Sequence, residues 1–314
     1  PAVYEAFYDI YQKFILKLGD YSDGVATSAD KQEALKADTI VMLKELRNLF
    51  KNGFEGMGLG LILKDLKVVT ASKDGYSDNS PATASVDDIR IATNFADMHS
   101  DQASMDLSYA IKGLYVDQAL LQAAQSHSPA AMPTEFFPRN MNWKIDLDQV
   151  PVQSLLDLVL NNLESSFGDR PLADINMMKN EALALLDNAD TVVALDKNYI
   201  GNDIWLFLVD GHGQVDRSSM YNFVGELELR LYGLTPLLQA LNQRTAVETD
   251  VQLQKTLRSS LSGLTFIQAF GQEVQDEKGN TYRGYTLSLT PEGQIQLNGA
   301  DLMQMMGAAP PPSR

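Results

Sequence analysis

Residues 226–243, ELELRLYGLTPLLQALNQ, contain the pattern that decides the fold. Leucines alternate with charged residues up to Tyr232, Gly233 interrupts the run, and a leucine-rich stretch follows. Alternation is typical of a half-buried strand, and apolar residues spaced three and four positions apart are typical of an amphipathic helix. The segment therefore predicts a strand, a sharp corner at the glycine, and a helix.

The same unit recurs along the chain. Residues 106–125 read DLSYAIKGLYVDQALLQAAQ, residues 142–161 read NWKIDLDQVPVQSLLDLVLN, and residues 285–306 form a looser copy. In the copy at residues 142–161, Pro151 stands at the first turn of the predicted helix, where proline is tolerated. The intervals are too irregular for a solenoid. We therefore predict an α+β fold with two related lobes of long antiparallel sheet and amphipathic helices packed on one face.

Prolines indicate where the lobes divide. Pro129, Pro133 and Pro138 exclude a helix over residues 126–140 and favour a boundary or crossover there. The predicted organisation is an N-terminal helical segment, a first sheet–helix lobe, a second sheet–helix lobe and a mobile proline-rich tail, at residues 1–58, 59–140, 141–306 and 307–314.

Composition excludes several classes of protein. A net charge of −16 repels phosphate backbones, which argues against nucleic-acid binding. The chain contains no cysteine, so disulfides, thiolate catalysis and cysteine-ligated metals are excluded. The sequence contains no run of 18 apolar residues, which is the length that would predict a membrane-spanning helix. The chain begins with Pro1 rather than Met, and we expect that a targeting segment or other sequence preceded it.

Catalytic and cofactor motifs are missing from the sequence. It has no nucleophile elbow, no phosphate-binding loop and no dinucleotide fingerprint. His99, His127 and His212 do not fall at metal-ligand spacing. Residues 210–216, DGHGQVD, lack the ligand spacing of a calcium loop and predict a simple turn. We predict a non-enzymatic protein with no cofactor and no metal; the alternative is a hydrolase with an unrecognised carboxylate site.

The apolar run at residues 204–209, IWLFLV, is the strongest indication of a binding site. Trp205, Leu206, Phe207 and Leu208 occupy successive positions, so both faces of the predicted strand are apolar. One interpretation is burial between a sheet and a helix layer. The other is that one face lines a groove for a hydrophobic ligand or lipid, with these four residues as ligand-binding residues.

Two further sets of residues are candidates for binding a partner. Phe7, Tyr11 and Phe14 share one face of a predicted helix, and Met303 and Met306 lie near the C-terminus. Internal packing is the default interpretation of both sets. The predicted function is to bind a hydrophobic ligand or lipid; the alternative is an accessory subunit that binds an envelope protein or forms a homo-oligomer.

Several segments resemble a known family. They are GELELRLYGLTPLLQAL at 225–241, LSGLTFIQAFGQ at 261–272, YTLSLTPEGQIQLNGADL at 285–302, KDLKVVTASKDG at 64–75 and MDLSYAIKGL at 105–114. They are similar to the YdgA-like family of bacterial envelope proteins of unknown function, and more loosely to AsmA-type proteins. The resemblance implies a bacterial protein facing the periplasm, with long curved antiparallel sheets and no known catalytic residues. The family usually carries an N-terminal membrane anchor, and we expect that any such anchor preceded Pro1.

Overall fold

A computed structural model of the chain describes residues 29–69, 82–118, 120–121, 133–165 and 175–305. Its strands are β1 Gly56–Val69, β2 Thr83–Ala96, β3 Ala103–Lys112, β4 Tyr115–Val116, β5 Asn140–Val150, β6 Val192–Gly201, β7 Leu206–Val215, β8 Phe223–Tyr232, β9 Gln272–Gln275, β10 Thr281–Leu289, β11 Ile295–Leu297 and β12 Ala300–Asp301. Its α-helices are α1 Ala29–Lys51, α2 Val152–Ser165, α3 Ile175–Asn188, α4 Leu234–Val247, α5 Val251–Phe270 and α6 Leu302–Met305, and a 3₁₀ turn spans Thr134–Phe136.

All twelve strands of the described residues belong to one antiparallel sheet. Its main path is β1-β2-β3-β5-β6-β7-β8-β10-β11-β12, so spatial neighbours follow chain order; β4 pairs with β2, and β9 pairs with β10. The protein is therefore α+β, as the sequence predicts. β3 pairs with β5 across the boundary predicted near residue 140, so the sheet is continuous there.

The three predicted corners share one backbone feature. Gly113, Gln149 and Gly233 have φ angles of 68°, 59° and 70°. A positive φ turns the chain abruptly and is easiest for glycine. Gly233 has a second constraint, because a Cβ there would overlap the carbonyl oxygen of Ile204. Helix α4 begins at the next residue, so this corner lays α4 back on the sheet.

Alternation gives the sheet one apolar and one polar face. On β8, Leu227, Leu229 and Leu231 point to one side, and Glu226, Glu228 and Arg230 to the other. Strand pairing extends the apolar side across nine strands. One row of directly paired residues contains Leu59, Thr93, Leu107, Ile145, Leu195, Gly211, Leu227, Leu287 and Leu297. We call these sides the apolar face and the polar face.

Two groups of helices pack against the apolar face. Helices α1 and α2 bury Phe50 and Leu156 against Met57 and Phe95, at one end of β1 and β2. Helices α4 and α5 cover the opposite end of β7, β8 and β10, where Leu234 packs with Leu231 and Tyr285. The apolar face is therefore covered at two corners.

Ion pairs between neighbouring side chains line the polar face. Arg90 lies 2.7 Å from Asp88, Lys144 lies 2.8 Å from Asp146, and Arg230 lies 2.8 Å from Glu228. The hydrogen bond from Arg90 holds the pKa of the Asp88 carboxyl below its usual value. These exposed pairs contribute little stability each, but they keep this face hydrated.

A buried asparagine repairs the sheet where it bends. The β5–β6 register shifts between Asn142 and Ile145, and Lys197 has a φ of 54°. Asn198, fully buried in this bulge, accepts a hydrogen bond from the backbone N–H of Lys144 and donates one to its carbonyl oxygen at 2.9 Å. The amide thus replaces the missing ladder bonds, and bulges of this kind increase the bend of a sheet.

Candidate apolar ligand site

A cavity of about 740 Å³ lies between the apolar face and helices α4 and α5. We call it the chamber. Its lining side chains are almost all aliphatic or aromatic, and Ser260 is the one small hydroxyl among them. The lining residues are Phe136, Ile200, Trp205, Phe207, Leu229, Leu231, Leu237, Leu241, Ser260, Gly263, Leu264, Phe266, Ile267, Phe270, Tyr285 and Leu297.

The polar atoms of the two amphipathic aromatics at the chamber already have partners. The indole N–H of Trp205 donates to the carbonyl oxygen of Phe136 at 3.2 Å. The hydroxyl of Tyr285 donates to the backbone carbonyl oxygen of Ile267 at 3.1 Å. Burial raises the pKa of the Tyr285 phenol, so it stays neutral at physiological pH. Both rings therefore present carbon to the cavity, which suits an apolar occupant.

A short loop between β6 and β7 fixes Trp205. The side-chain oxygen of Asn202 accepts hydrogen bonds from the backbone N–H groups of Ile204 at 2.8 Å and Trp205 at 3.1 Å. Its amide nitrogen donates to the carbonyl oxygen of Phe137 at 3.1 Å. The indole thus stands on a braced turn, and a braced side chain preserves the shape of a cavity wall.

Helix α5 forms the roof of the chamber. Asp250 caps its first turn by accepting the backbone N–H groups of Gln252 and Leu253. Leu253 and Leu257 then anchor this half of the helix in the core that it shares with α4. The second half faces the chamber, and a Cβ placed on Gly263 would meet nothing within 4 Å. Gly263 therefore marks open space rather than a tight helix contact.

A second cavity of about 380 Å³ lies on the same face. Strand residues line it, namely Ile145, Val193, Leu195, His212, Gly213, Phe223, Gly225, Glu226, Leu227, Leu287, Ser288, Leu289 and Ile295. Gly213 and Gly225 are paired across β7 and β8, and the ring of Phe223 lies against both. Glycine in a strand interior often marks such a close approach. The missing Cβ atoms leave the space that the Phe223 ring occupies.

The lining of the second cavity indicates that the sheet is curved. Ile145 on β5 and Ile295 on β11 line the same second cavity. On a flat sheet five strand spacings, about 24 Å, would separate them. The sheet is therefore curved into a trough with the apolar face inside.

The four predicted ligand residues divide between the two faces. Trp205 and Phe207 line the chamber. Leu206 and Leu208 point to the polar face and do not line the chamber. Their strand partners, Tyr232 and Tyr199, lie on the same polar face. The rings of Tyr232 and Tyr282 lie 5.1 Å apart on that side, and both leucines are half-buried. The predicted strand at 204–209 begins only at Leu206.

The predicted partner residues are mostly outside the described residues. Phe7, Tyr11 and Phe14 lie outside them, as does Met306. Met303 lies on α6 and is 36% exposed. Its backbone N–H donates to the Asp301 carboxylate at 2.8 Å.

The turn predicted at residues 210–216 is wrong, because most of it belongs to β7. Asp210 accepts the backbone N–H of Lys197 at 2.7 Å, so its carboxylate secures the β6 bulge. His212 is exposed and pairs across strands with Glu226. His99 is exposed, and His127 lies outside the described residues. Within the described ranges no three His, Asp or Glu residues are grouped so as to hold a metal ion.

Sequence reasoning missed most of the chamber. Leu229, Leu231 and Tyr285 carry the strict alternation that marks an inward face. On α5, Ser260 and Gly263 are small residues on a helix whose buried side is otherwise leucine. Small residues on a leucine-rich helix face were the signal that could have located the cavity.

No protein-family model, curated protein or solved structure matches this chain. Among the helices that the structure describes, none combines the length and the apolar character needed to cross a membrane.

Proposed function

We propose that this protein binds a hydrophobic ligand, such as a lipid acyl chain, on the apolar face of its sheet, and that it does so without catalysing a reaction. The observation that carries the proposal is the chamber. Its lining is apolar, the polar atoms of Trp205 and Tyr285 are already bonded, and Gly263 leaves open space beneath α5. A cavity of about 740 Å³ falls within the usual range for ligand pockets.

The expected affinity follows from the apolar area. Burial contributes about 0.8 kcal/mol per methylene, so a chain of ~16 carbons gains ~13 kcal/mol before other terms. Association and chain ordering offset roughly 5–7 kcal/mol of this gain. The remaining ~6–8 kcal/mol corresponds to a Kd in the micromolar range.

Gly263 provides the test and its matched control. We expect Gly263→Phe to place a ring in the chamber and weaken binding of a brominated acyl lipid, read as loss of Trp205 quenching. Gly263→Ala adds one methyl and raises helix propensity by about 1 kcal/mol, so it should bind like the native chain. Native mass spectrometry of protein purified without denaturation reports any bound lipid directly. A native chain that neither retains lipid nor shows quenching by any acyl probe would disprove the proposal.

We also propose that the protein is bacterial and faces the periplasm. The support is the resemblance of residues 225–241 and 285–302 to YdgA-like envelope proteins. The chain has no cysteine, so Val247→Cys, at a side chain 69% exposed, gives a single labelling site. A membrane-impermeant maleimide should label this variant in bacteria with a permeabilised outer membrane and an intact inner membrane. Labelling only after cell lysis would place the protein in the cytoplasm instead.

A second candidate function is an accessory subunit of an envelope assembly, or a homo-oligomer. The observation that favours it is β1, the edge strand of the described sheet, where every residue except Met57 is exposed. Long exposed edge strands are templates for pairing with another chain. Light scattering at increasing concentration tests self-association, and Ile62→Lys on the edge should abolish any oligomer that forms there.

The division into two related lobes remains our proposal for the sequence repeat. Strand, positive-φ corner and helix recur at β5–α2 and at β8–α4, but β3–β5 pairing joins residues 59–140 to residues 141–306 in one sheet. Native-state hydrogen exchange should detect two cooperative units that divide near residue 140 if the lobes are real.

A further inference from the structure

The chamber and the second cavity adjoin along three strands. On β8, Leu229 lines the chamber and Leu227, the next residue on the same face, lines the second cavity. Tyr285 and Leu287 on β10 are related in the same way, as are Leu297 and Ile295 on β11. Neighbours on one face of a strand are only ~7 Å apart. The cavities therefore follow each other in the direction of the strands.

Together the cavities form a groove parallel to β8. The residues of β8 that line it run from Leu231, in the chamber, to Phe223, in the second cavity. Nine residues of antiparallel strand span about 27 Å. The groove is thus long, with a roof of α5 at one end and the Phe223 ring over the glycine pair at the other.

We infer that the groove takes one long, straight hydrocarbon chain that occupies both cavities at once. This inference rests on the proposed function and specifies the shape of the ligand. A compact ligand would fill the chamber and leave the second cavity without a role. One extended chain uses both volumes and meets carbon along the wall formed by Leu231, Leu229 and Leu227.

The test is the chain-length dependence of binding, with lysophosphatidylcholines from octanoyl to octadecanoyl as probes. Each added methylene should lower the Kd about fourfold until the groove is full. In the native chain this trend should continue to the long probes and then level off. Gly263→Phe obstructs the chamber, and Ile295→Trp obstructs the second cavity. In each variant the fall in Kd should stop at a probe chain several carbons shorter than in the native chain, because each substitution removes one part of the same groove.

Two matched controls separate obstruction from general disturbance. Gly263→Ala adds almost no volume, and Gln296→Trp puts the same large ring on the opposite face of β11. In both control variants the Kd should stop falling at the same probe chain length as in the native chain. Ile145→Phe, on the other wall of the second cavity, replaces Ile295→Trp if circular dichroism shows that the tryptophan variant is unfolded.

The outcomes are distinct. If obstruction of the second cavity leaves the levelling point unchanged while Gly263→Phe shortens it, the ligand uses the chamber alone; the inference is overturned and the proposed function stands. If both obstructions weaken short and long chains equally, the two cavities do not form one groove, and the inference is again overturned. If the native chain binds no probe, both proposals are overturned.

Discussion

Three glycine-to-alanine substitutions measure how much the β8–α4 corner contributes to stability. Gly233 has a φ of 70°, and an added Cβ would overlap the carbonyl oxygen of Ile204. Gly279 has a φ of 82° with nothing near its Cβ position. Gly263 is helical, with equally open surroundings. The three sites thus separate backbone strain, close approach and simple chain entropy.

The magnitudes follow from these differences. An alanine in the left-handed region costs about 1–2 kcal/mol, and the reduced freedom of the unfolded chain returns about 0.4–1 kcal/mol. Gly279→Ala should therefore lose ~1 kcal/mol. Gly233→Ala has the same backbone cost and must also displace the loop that carries Trp205, so we expect a loss of at least ~3 kcal/mol. Gly263→Ala should gain about 0.5–1 kcal/mol, as in any exposed helix interior.

Urea unfolding, followed by far-ultraviolet circular dichroism and by tryptophan fluorescence, gives the three free energies. Equal losses at Gly233 and Gly279 would refute the argument, because they would mean that the corner does not approach Ile204 closely. A large loss at Gly233 with unchanged tryptophan fluorescence would also contradict it, since the displaced loop holds one of the two tryptophans.

Three further predictions concern the core, the sheet and the hairpin turns. Leu257 is fully buried between α4 and α5, so Leu257→Ala should lower the unfolding free energy by ~2–5 kcal/mol in urea titrations. Asn198→Leu leaves a β5 backbone N–H and C=O unpaired, and we expect a loss of ~1–3 kcal/mol with faster amide exchange in β5. The Asn280 side chain and N–H groups of the same turn depress the pKa of Asp276. The stability from Asp276 is complete above its unfolded pKa of about 3.9 and disappears as the pH falls through the lower folded value, a titration that Asp276→Asn should remove from acid unfolding curves.

The sequence predicts elements well where local signals agree. Helix α5, Val251–Phe270, is one such element. Asp250 supplies the cap, leucines recur at helical spacing, and Gly271 ends the run. The corners at Gly113 and Gly233 were likewise visible as glycines between a strand pattern and a helix pattern.

Prediction failed where a residue serves a distant partner. Gly211 and Gly213 look like turn residues because glycine and aspartate favour turns. They lie in β7 because Leu227 and the ring of Phe223 take the space where their Cβ atoms would be. Local turn propensity does not register these partners, which lie 10 and 16 residues later in the chain. The sequence also does not show that Leu206 and Leu208 lie on the polar face, where each pairs with a tyrosine of another strand.

The distribution of cover over the apolar face suggests a route by which the proposed ligand would enter. Helices α4 and α5 cover β7, β8 and β10, whereas Leu59, Leu107 and Ile145 on β1, β3 and β5 are 53%, 50% and 39% exposed. A flat sheet with such a patch would aggregate, but curvature turns these side chains toward the inside of a trough. The uncovered strands therefore adjoin the second cavity through Ile145, while the chamber lies farther in, beneath α5. A hydrocarbon chain that arrives over β1–β5 meets the second cavity first, so obstruction there should slow entry to the chamber even for chains too short to fill both.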